Sequence, residues 1–366
     1  MFFTSLAQSL VEKLPSPYNL FNTMSNVFNE FYKKRNPKAC KLFLKPVSDN
    51  FVLRELQKLN VSKSTGLDNI PAKFLKDGAE CIKTQVTHII NLSISTNAIP
   101  SDLKEARVRP IFKKASQLEA SNYRPVSILC IISNILERSV YVQLVDFLNQ
   151  NNLIYENQSG FRSGFSTDTC LIYLLDMIRS NTSKGLFTGM IMLDLQKAFD
   201  TVNHDILCEK LKAMGVMSTE WFLSYLANRK QVVSINNECS DFMSISCGVP
   251  QGSILGPILF LCYVNDMQII IDQDCQLVLY ADDSVILFSH KNPEKISQHL
   301  GCQLESCSKW LVDNKLSLHL GKTECMLFGP PRKLQKYKDF SIICNGTIIK
   351  SVHSVKYLGL RQYAVG

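Results

Sequence analysis

Several features are missing from this chain of 366 residues, and each absence removes a class of protein. The 13 cysteines never form a Cys-x-x-Cys pair, so neither a zinc ribbon nor a secreted disulfide framework is indicated. They read as small buried hydrophobes in a reducing compartment. No apolar run reaches about 18 residues without a polar break, so no membrane span is expected. The opening MFFTSLAQSLVEKLP lacks a basic start and meets Glu12 and Lys13 too early for a signal peptide, which points to an intracellular protein, cytoplasmic or nuclear. No internal repeat or low-complexity tract is visible. Charge is not extreme: 40 Lys and Arg against 32 Asp and Glu leave +8, compatible with a polyanionic partner but decisive of nothing.

What is present is a mixture of helical and strand-like segments without strict alternation, which favours an α+β fold over a doubly wound sheet. Residues 1–45 carry patchy helical signals and the basic run KKRNPK, and read as a leader or connector. Helical periodicity covers FVLRELQKL, the segments 78–96 and 127–150, and 168–180. Further helices are expected at 204–214, 218–228, from Ile254 onward, and along Ile296, Leu300, Leu304, Cys307 and Leu311, which share one helix face. Strands are expected at ARVRPIF, TGMIMLDL, QVVSIN, MSISC, LSLHL and ECMLFG, and ICNGTII carries an Asn-Gly hairpin signal.

The chemistry-bearing segments hold carboxylates. LVLYADDSVILFS puts Asp282 and Asp283 between two strand-like runs. Aspartates are common in tight turns, so a plain hairpin accounts for them. They also suit a hard divalent cation, which takes oxygen ligands and cancels their mutual repulsion. Asp194, at the end of TGMIMLDL, reads alone as a helix cap or as a ligand. The combination of that strand-end aspartate, a downstream Asp-Asp hairpin and GVPQGSILGP between them fits a two-metal phosphoryl-transfer site, in which ions about 3.5 to 4 Å apart share carboxylates. Such a site requires the aspartates to lie on adjacent strands of one sheet.

These segments resemble reverse transcriptases. MLDLQKAFDTVNH, GVPQGSILGPILFLCYVNDM and YADDS are similar, in this order, to successive polymerase motifs of non-LTR (LINE-type) retrotransposons. KSTGLDNIPAKFL, PIFKK, NYRPVSIL and SGFRSGFST resemble the family's fingers motifs, and LHLGKTECMLF and VKYLGL its last palm motifs. The resemblance covers roughly 52–360. It implies a right-hand polymerase fold, with fingers and a palm on a ferredoxin-like antiparallel sheet. It also implies an RNA template, a DNA primer, deoxynucleoside triphosphates, and two Mg2+ ions or Mn2+ in their place. On this reading residues 46–366 form the reverse transcriptase domain, with 46–185 mainly fingers and 186–366 mainly palm.

The resemblance also implies roles. Asp194, Asp282 and Asp283 would be metal ligands, joined by the backbone carbonyl of Leu195. Phe199 would be the steric gate beneath the sugar, and Gln251 would contact the incoming nucleotide. Lys113, Lys114 and Arg124 would grip the triphosphate, where Arg suits bidentate contact and Lys a point charge. Gly160, Arg162, Gly252 and Tyr280 would lie along template or primer, with Gly248 and Gly252 allowing close backbone approach. Lys322 would be the general acid that protonates pyrophosphate. The similarity ends at YLGLRQYAVG, where the family continues into a helical thumb, so the expectation is a thumbless polymerase core or a decayed copy with its aspartates intact. A catalytically weak nucleic-acid-binding remnant is the alternative reading.

Overall fold

The computed structural model describes residues 2–14, 21–36, 39–113, 116–236, 238–337 and 339–363. They divide into two compact units that interleave along the chain. One is built from residues within 2–13, 21–153 and 199–263, the other mainly from 154–198 and 264–363. This division differs from the contiguous cut at 185 and 186 expected from the sequence. Segment 199–263 packs with the N-terminal part, and 154–185 packs with the C-terminal part.

The strands in chain order are β1 (Glu105–Phe112), β2 (Tyr123–Leu129), β3 (Phe187–Leu193), β4 (Arg229–Ile235), β5 (Glu238–Cys239), β6 (Met243–Ile245), β7 (Gln276–Tyr280), β8 (Asp283–His290) and β9 (Glu324–Phe328). In the first unit the sheet runs β2-β1-β4-β5, with β6 also paired to β4. β1 and β2 form an antiparallel ribbon from Ala106↔Leu129 to Phe112↔Tyr123. Ala106 and Val108 point into the core, so Arg107 and Arg109 take the opposite face.

Two expectations change in this unit. Residues 127–129 finish β2 instead of starting a helix, because Pro125, Ser127 and Leu129 are buried with a period of two. The helix begins at Ile131, behind Cys130, whose thiol accepts the Ser133 N–H at 3.4 Å. The expected leader is also part of the unit. Helix Phe21–Arg35 packs on helix His204–Met214 and buries Phe28 and Tyr32. Lys210, fully buried, lies 4.8 Å from the ring centroids of both Phe28 and Tyr263.

In the second unit the sheet runs β7-β8-β3-β9, all antiparallel. Numbered by position in the chain, these four strands follow the order of the split β-α-β-β-α-β arrangement. Helix Thr167–Ser183 covers one face, its Leu171, Leu174 and Ile178 meeting Met190, Met192, Val285 and Met326. Burying each such side chain contributes about 1.5–3 kcal/mol. Helix Pro293–Asp313 covers the other face, where Gly189 leaves room for Ile296 and Leu300. The Asn-Gly hairpin forms as expected between Ser341–Cys344 and Thr347–Lys350, with positive φ at both Asn345 and Gly346. LSLHL forms no strand: Leu318 makes an isolated bridge to Leu195.

Candidate active site

The aspartates come together through strand register. The last pair of the β3–β8 ladder is Leu193↔Ser284, so Asp194, one residue further, is level with Asp283 on the neighbouring strand. Even-numbered residues of β3 share a face with odd-numbered residues of β8, as the common core of Met190, Met192, Val285 and Leu287 demonstrates. Asp194 and Asp283 therefore continue one face. Asp282 stands in the two-residue turn that joins β7 to β8, closed by the pair Tyr280↔Asp283. Asp282 and Asp283 are exposed and Asp194 is half-buried. Asp283 is near enough to Cys170 and Tyr357 for its charge to add to the burial that raises both their pKa values.

Bonds from the segment before β9 fix the Asp194 peptide. The His319 N–H donates to the Asp194 carbonyl at 2.8 Å, and the Gln196 N–H donates to the Ser317 carbonyl at 2.9 Å. With those two groups making the bridge, the Leu195 carbonyl points away from Leu318, toward the opposite edge. Exposed Lys322 is on the same turn, its N–H bound to the His319 carbonyl at 2.9 Å. The donor set of hard carboxylate and carbonyl oxygens suits a hard divalent cation. Among the described residues, no group of three His, Cys, Asp or Glu is drawn together tightly enough to hold an ion by itself.

Residues 157–160 run beside β7. The Ser159 N–H donates to the Leu279 carbonyl at 2.8 Å, and the Leu279 N–H donates to the Asn157 carbonyl at 2.9 Å. Gly160 is buried against the turn: a Cβ there would stand 2.2 Å from the Ala281 nitrogen. Gly160, expected along template or primer, packs here against the Ala281 backbone. Arg162 is likewise occupied. Its Nη1 donates to the carbonyls of Tyr155 and Gln158 at 3.1 and 2.9 Å, and its guanidinium lies 4.5 Å from the Phe165 ring centroid. Partial burial lowers its pKa. Tyr280, half-buried, closes the Asp-Asp turn.

In the first unit, backbone pairing joins the segment that carries Phe199 to the turn that carries Gln251. The Val249 N–H donates to the Phe199 carbonyl at 2.8 Å, and the Gly248 N–H donates to the Val202 carbonyl at 2.7 Å. The Phe199 ring stacks on Phe260 with centroids 4.3 Å apart. Gln251 Nε2 donates to Asp200 Oδ1 at 2.7 Å, and its carbonyl accepts the Ser127 N–H at 2.6 Å. Gly252, at φ +108°, would put a Cβ 2.6 Å from the Ser127 carbonyl oxygen. Gly248 similarly abuts the Asp200 backbone, so both glycines answer an approach of the chain to itself. His204 Nε2 lies 2.8 Å from the Gly248 carbonyl, and burial lowers its pKa.

Sequence reasoning missed Glu137. It is fully buried, and its carboxylate accepts from the Tyr225 hydroxyl at 2.8 Å and the Ile254 and Leu255 N–H groups at 2.6 and 3.2 Å. It thereby caps the helix Leu255–Val264 that follows the Gln251 turn. Burial raises its pKa against the opposing pull of Arg229, Tyr225 and those amides. The available signal was its flanking by Ile135, Leu136, Ser139 and Val140, all buried.

The cations of the β1–β2 ribbon share a face. Arg124 pairs with Ile111, and the Lys113 N–H extends the ladder to the Asn122 carbonyl at 2.9 Å, so Lys113 and Arg124 are diagonal neighbours, both exposed. Lys114 lies outside the described residues. Arg107 and Arg109 continue the row and line a groove of about 730 Å³ with Tyr123 and Ser64. Among the described residues, no helix is long and apolar enough to cross a membrane.

Comparison with known proteins agrees with these motifs. Residues 111–362 match the family model described as reverse transcriptase (RNA-dependent DNA polymerase). The chain is 28% identical over 345 residues to a probable RNA-directed DNA polymerase from transposon BS of Drosophila melanogaster, covering 88% of this chain and 36% of that protein. It is 27% identical over 329 residues to the RNA-directed DNA polymerase from mobile element jockey of Drosophila funebris, covering 86% and 35%. The R2DM retrotransposable element polyprotein of Drosophila melanogaster is 27% identical over 210 residues, covering 56% and 19%. The chain thus spans about a third of the length of the first two relatives.

Proposed function

Because this chain belongs to the reverse transcriptase family, we propose that it is the polymerase portion of a non-LTR retrotransposon protein, adding deoxynucleotides to a DNA primer on an RNA template. The observation that carries this reading is the register that brings Asp194 level with Asp283 beside the Asp282 turn. The split β-α-β-β-α-β strand order of the second unit supports its assignment as the palm, and the β1–β2 ribbon with its cations supports assignment of that segment to the fingers.

Asp194, Asp282, Asp283 and the Leu195 carbonyl would hold two Mg2+ ions. When bound, the ions lower the pKa of the primer 3′-hydroxyl and neutralise charge on the phosphates. The chain's own groups then bind and orient. Lys113 and Arg124 attract the triphosphate, and Arg107 and Arg109 extend the same positive row for phosphate contact, which positions a strand without reading its sequence. Phe199, its ring fixed by Phe260, would exclude a 2′-hydroxyl. Gln251, oriented by Asp200, would contact the nucleotide. Lys322 would donate a proton to the departing pyrophosphate.

The test is primer extension by this chain on RNA and DNA templates with Mg2+ and the four deoxynucleotides. Template-directed extension on RNA is expected. Tight template binding without any extension would favour the remnant reading instead.

A further inference from the structure

Gln158 is a buried side chain that grips the Asp282–Asp283 turn from outside the hairpin. It is 2% exposed, and its Oε1 accepts two backbone donors, the Gly160 N–H at 2.8 Å and the Ala281 N–H at 2.9 Å. Ala281 is the first residue of the two-residue turn and has φ +58°, a left-handed conformation that a residue with a Cβ adopts at a cost. The acceptor therefore holds the strained residue immediately before the aspartates. Gly160 completes the grip, since its missing Cβ lets the two backbones close on each other. The other end of the same amide, Nε2, is buried with no hydrogen-bond partner among the described residues. An orphaned donor costs folding stability, so an apolar side chain would serve packing better, and what distinguishes glutamine here is its acceptor.

We infer that Gln158 is a positioning residue for nucleotidyl transfer: its carbonyl oxygen clamps the strained Ala281 peptide and thereby sets where Asp282 and Asp283 present their carboxylates. This inference rests on the polymerase reading for its kinetic consequences but not for the clamp itself.

The test compares Gln158→Met, which keeps the length and removes the acceptor, with Gln158→Glu, which keeps acceptor oxygens. Gln158→Met leaves two buried donors unpaired and should lower kcat about 10- to 100-fold. The KM for deoxynucleotide and the Kd for primer–template should stay within about twofold, and the Mg2+ concentration for half-maximal rate should rise, because the loss lies in carboxylate placement and not in substrate contact. Gln158→Glu should stay within about fivefold of the parent. Adding Ala281→Gly to Gln158→Met should recover part of the lost rate by removing the strain. A merely structural role would shift the unfolding midpoint and leave the kcat and Mg2+ response of the folded fraction unchanged, and that result would overturn the proposal. Amide exchange supplies a readout independent of activity: the Ala281 and Gly160 N–H groups should be protected in the parent, exposed in Gln158→Met and protected again in Gln158→Glu. If the parent incorporates no nucleotide, the polymerase reading fails while exchange still decides the clamp. Unchanged exchange in Gln158→Met overturns the clamp whatever the activity.

Discussion

Two glycines in the SGFRSGFS segment separate a steric requirement from a conformational one. An alanine at 160 would put its Cβ 2.2 Å from the Ala281 nitrogen and 2.9 Å from the Ala281 Cα, both backbone atoms. Relieving that overlap requires about 1 Å of movement between segment 157–160 and the Asp-Asp turn, a misplacement that can cost about 100-fold in rate. The same overpacking should destabilise the fold by about 1–3 kcal/mol. Alanine at 164 meets no atom of the described residues within 4 Å, and its φ of +82° costs roughly 1–2 kcal/mol through backbone strain alone. The two variants thus predict similar losses of stability and different kinetics. The assay is single-turnover incorporation of one deoxynucleotide at saturating primer–template, with urea unfolding in parallel. Gly160→Ala should be about 100-fold slow and Gly164→Ala within about twofold of the parent. Equal rates in the two folded variants would refute the claim that contact between Gly160 and Ala281 positions the carboxylates.

Phe199→Val should raise incorporation of ribonucleotides relative to deoxynucleotides by about tenfold, measured as a ratio of kcat/KM; an unchanged ratio would leave Phe199 as packing for Phe260. The raised pKa of Glu137 means that its contribution to stability is full below the ordinary carboxylate value of 4.5 and is lost as pH rises through the folded value. Glu137→Gln should flatten that decline in urea midpoints measured across pH, and a decline of the same slope in the variant would contradict the assignment. His204 has the opposite sign: its lowered pKa gives stability that is full above the ordinary value of 6.5 and lost as pH falls through the folded value. His204→Gln should remove that acid-side loss in the same titration.

Where a residue's place in the fold follows from apolar alternation or a local motif, it is legible in the sequence. The strand-end position of Asp194 and the hairpin position of Asp282 and Asp283 follow from the apolar alternation around them, and the β3–β8 register brings the two segments level. Helix Pro293–Asp313 and the Asn345-Gly346 turn were legible for the same local reason. Partners distant in sequence were not. Glu137 sits in a helix where a charge ordinarily faces solvent, and the charge of Arg229 and the donors of Tyr225, Ile254 and Leu255 make its burial tolerable. Gln158 takes its meaning from Ala281, 123 residues away. Segment 127–129 reads as helix because Ile128, Ile131, Ile132 and Ile135 recur at helical spacing, and the ladder to β1 assigns it to β2 instead. The early segment carries only patchy periodicity, and its place in the fold comes from the packing of helix Phe21–Arg35 on His204–Met214.

On the proposed function, the aspartates at the end of β3 and in the β7–β8 turn carry nucleotide transfer. The most direct measurement is Mg2+-dependent incorporation of a single deoxynucleotide on an RNA template by Asp194→Asn and Asp282→Asn, with template affinity measured on the same samples. Each substitution keeps volume and removes an anionic oxygen, and loss of several kcal/mol of transition-state stabilisation corresponds to about 1000-fold or more in rate. That loss is expected in both variants, with template affinity within about twofold of the parent. Incorporation at the parent rate in either variant would contradict it.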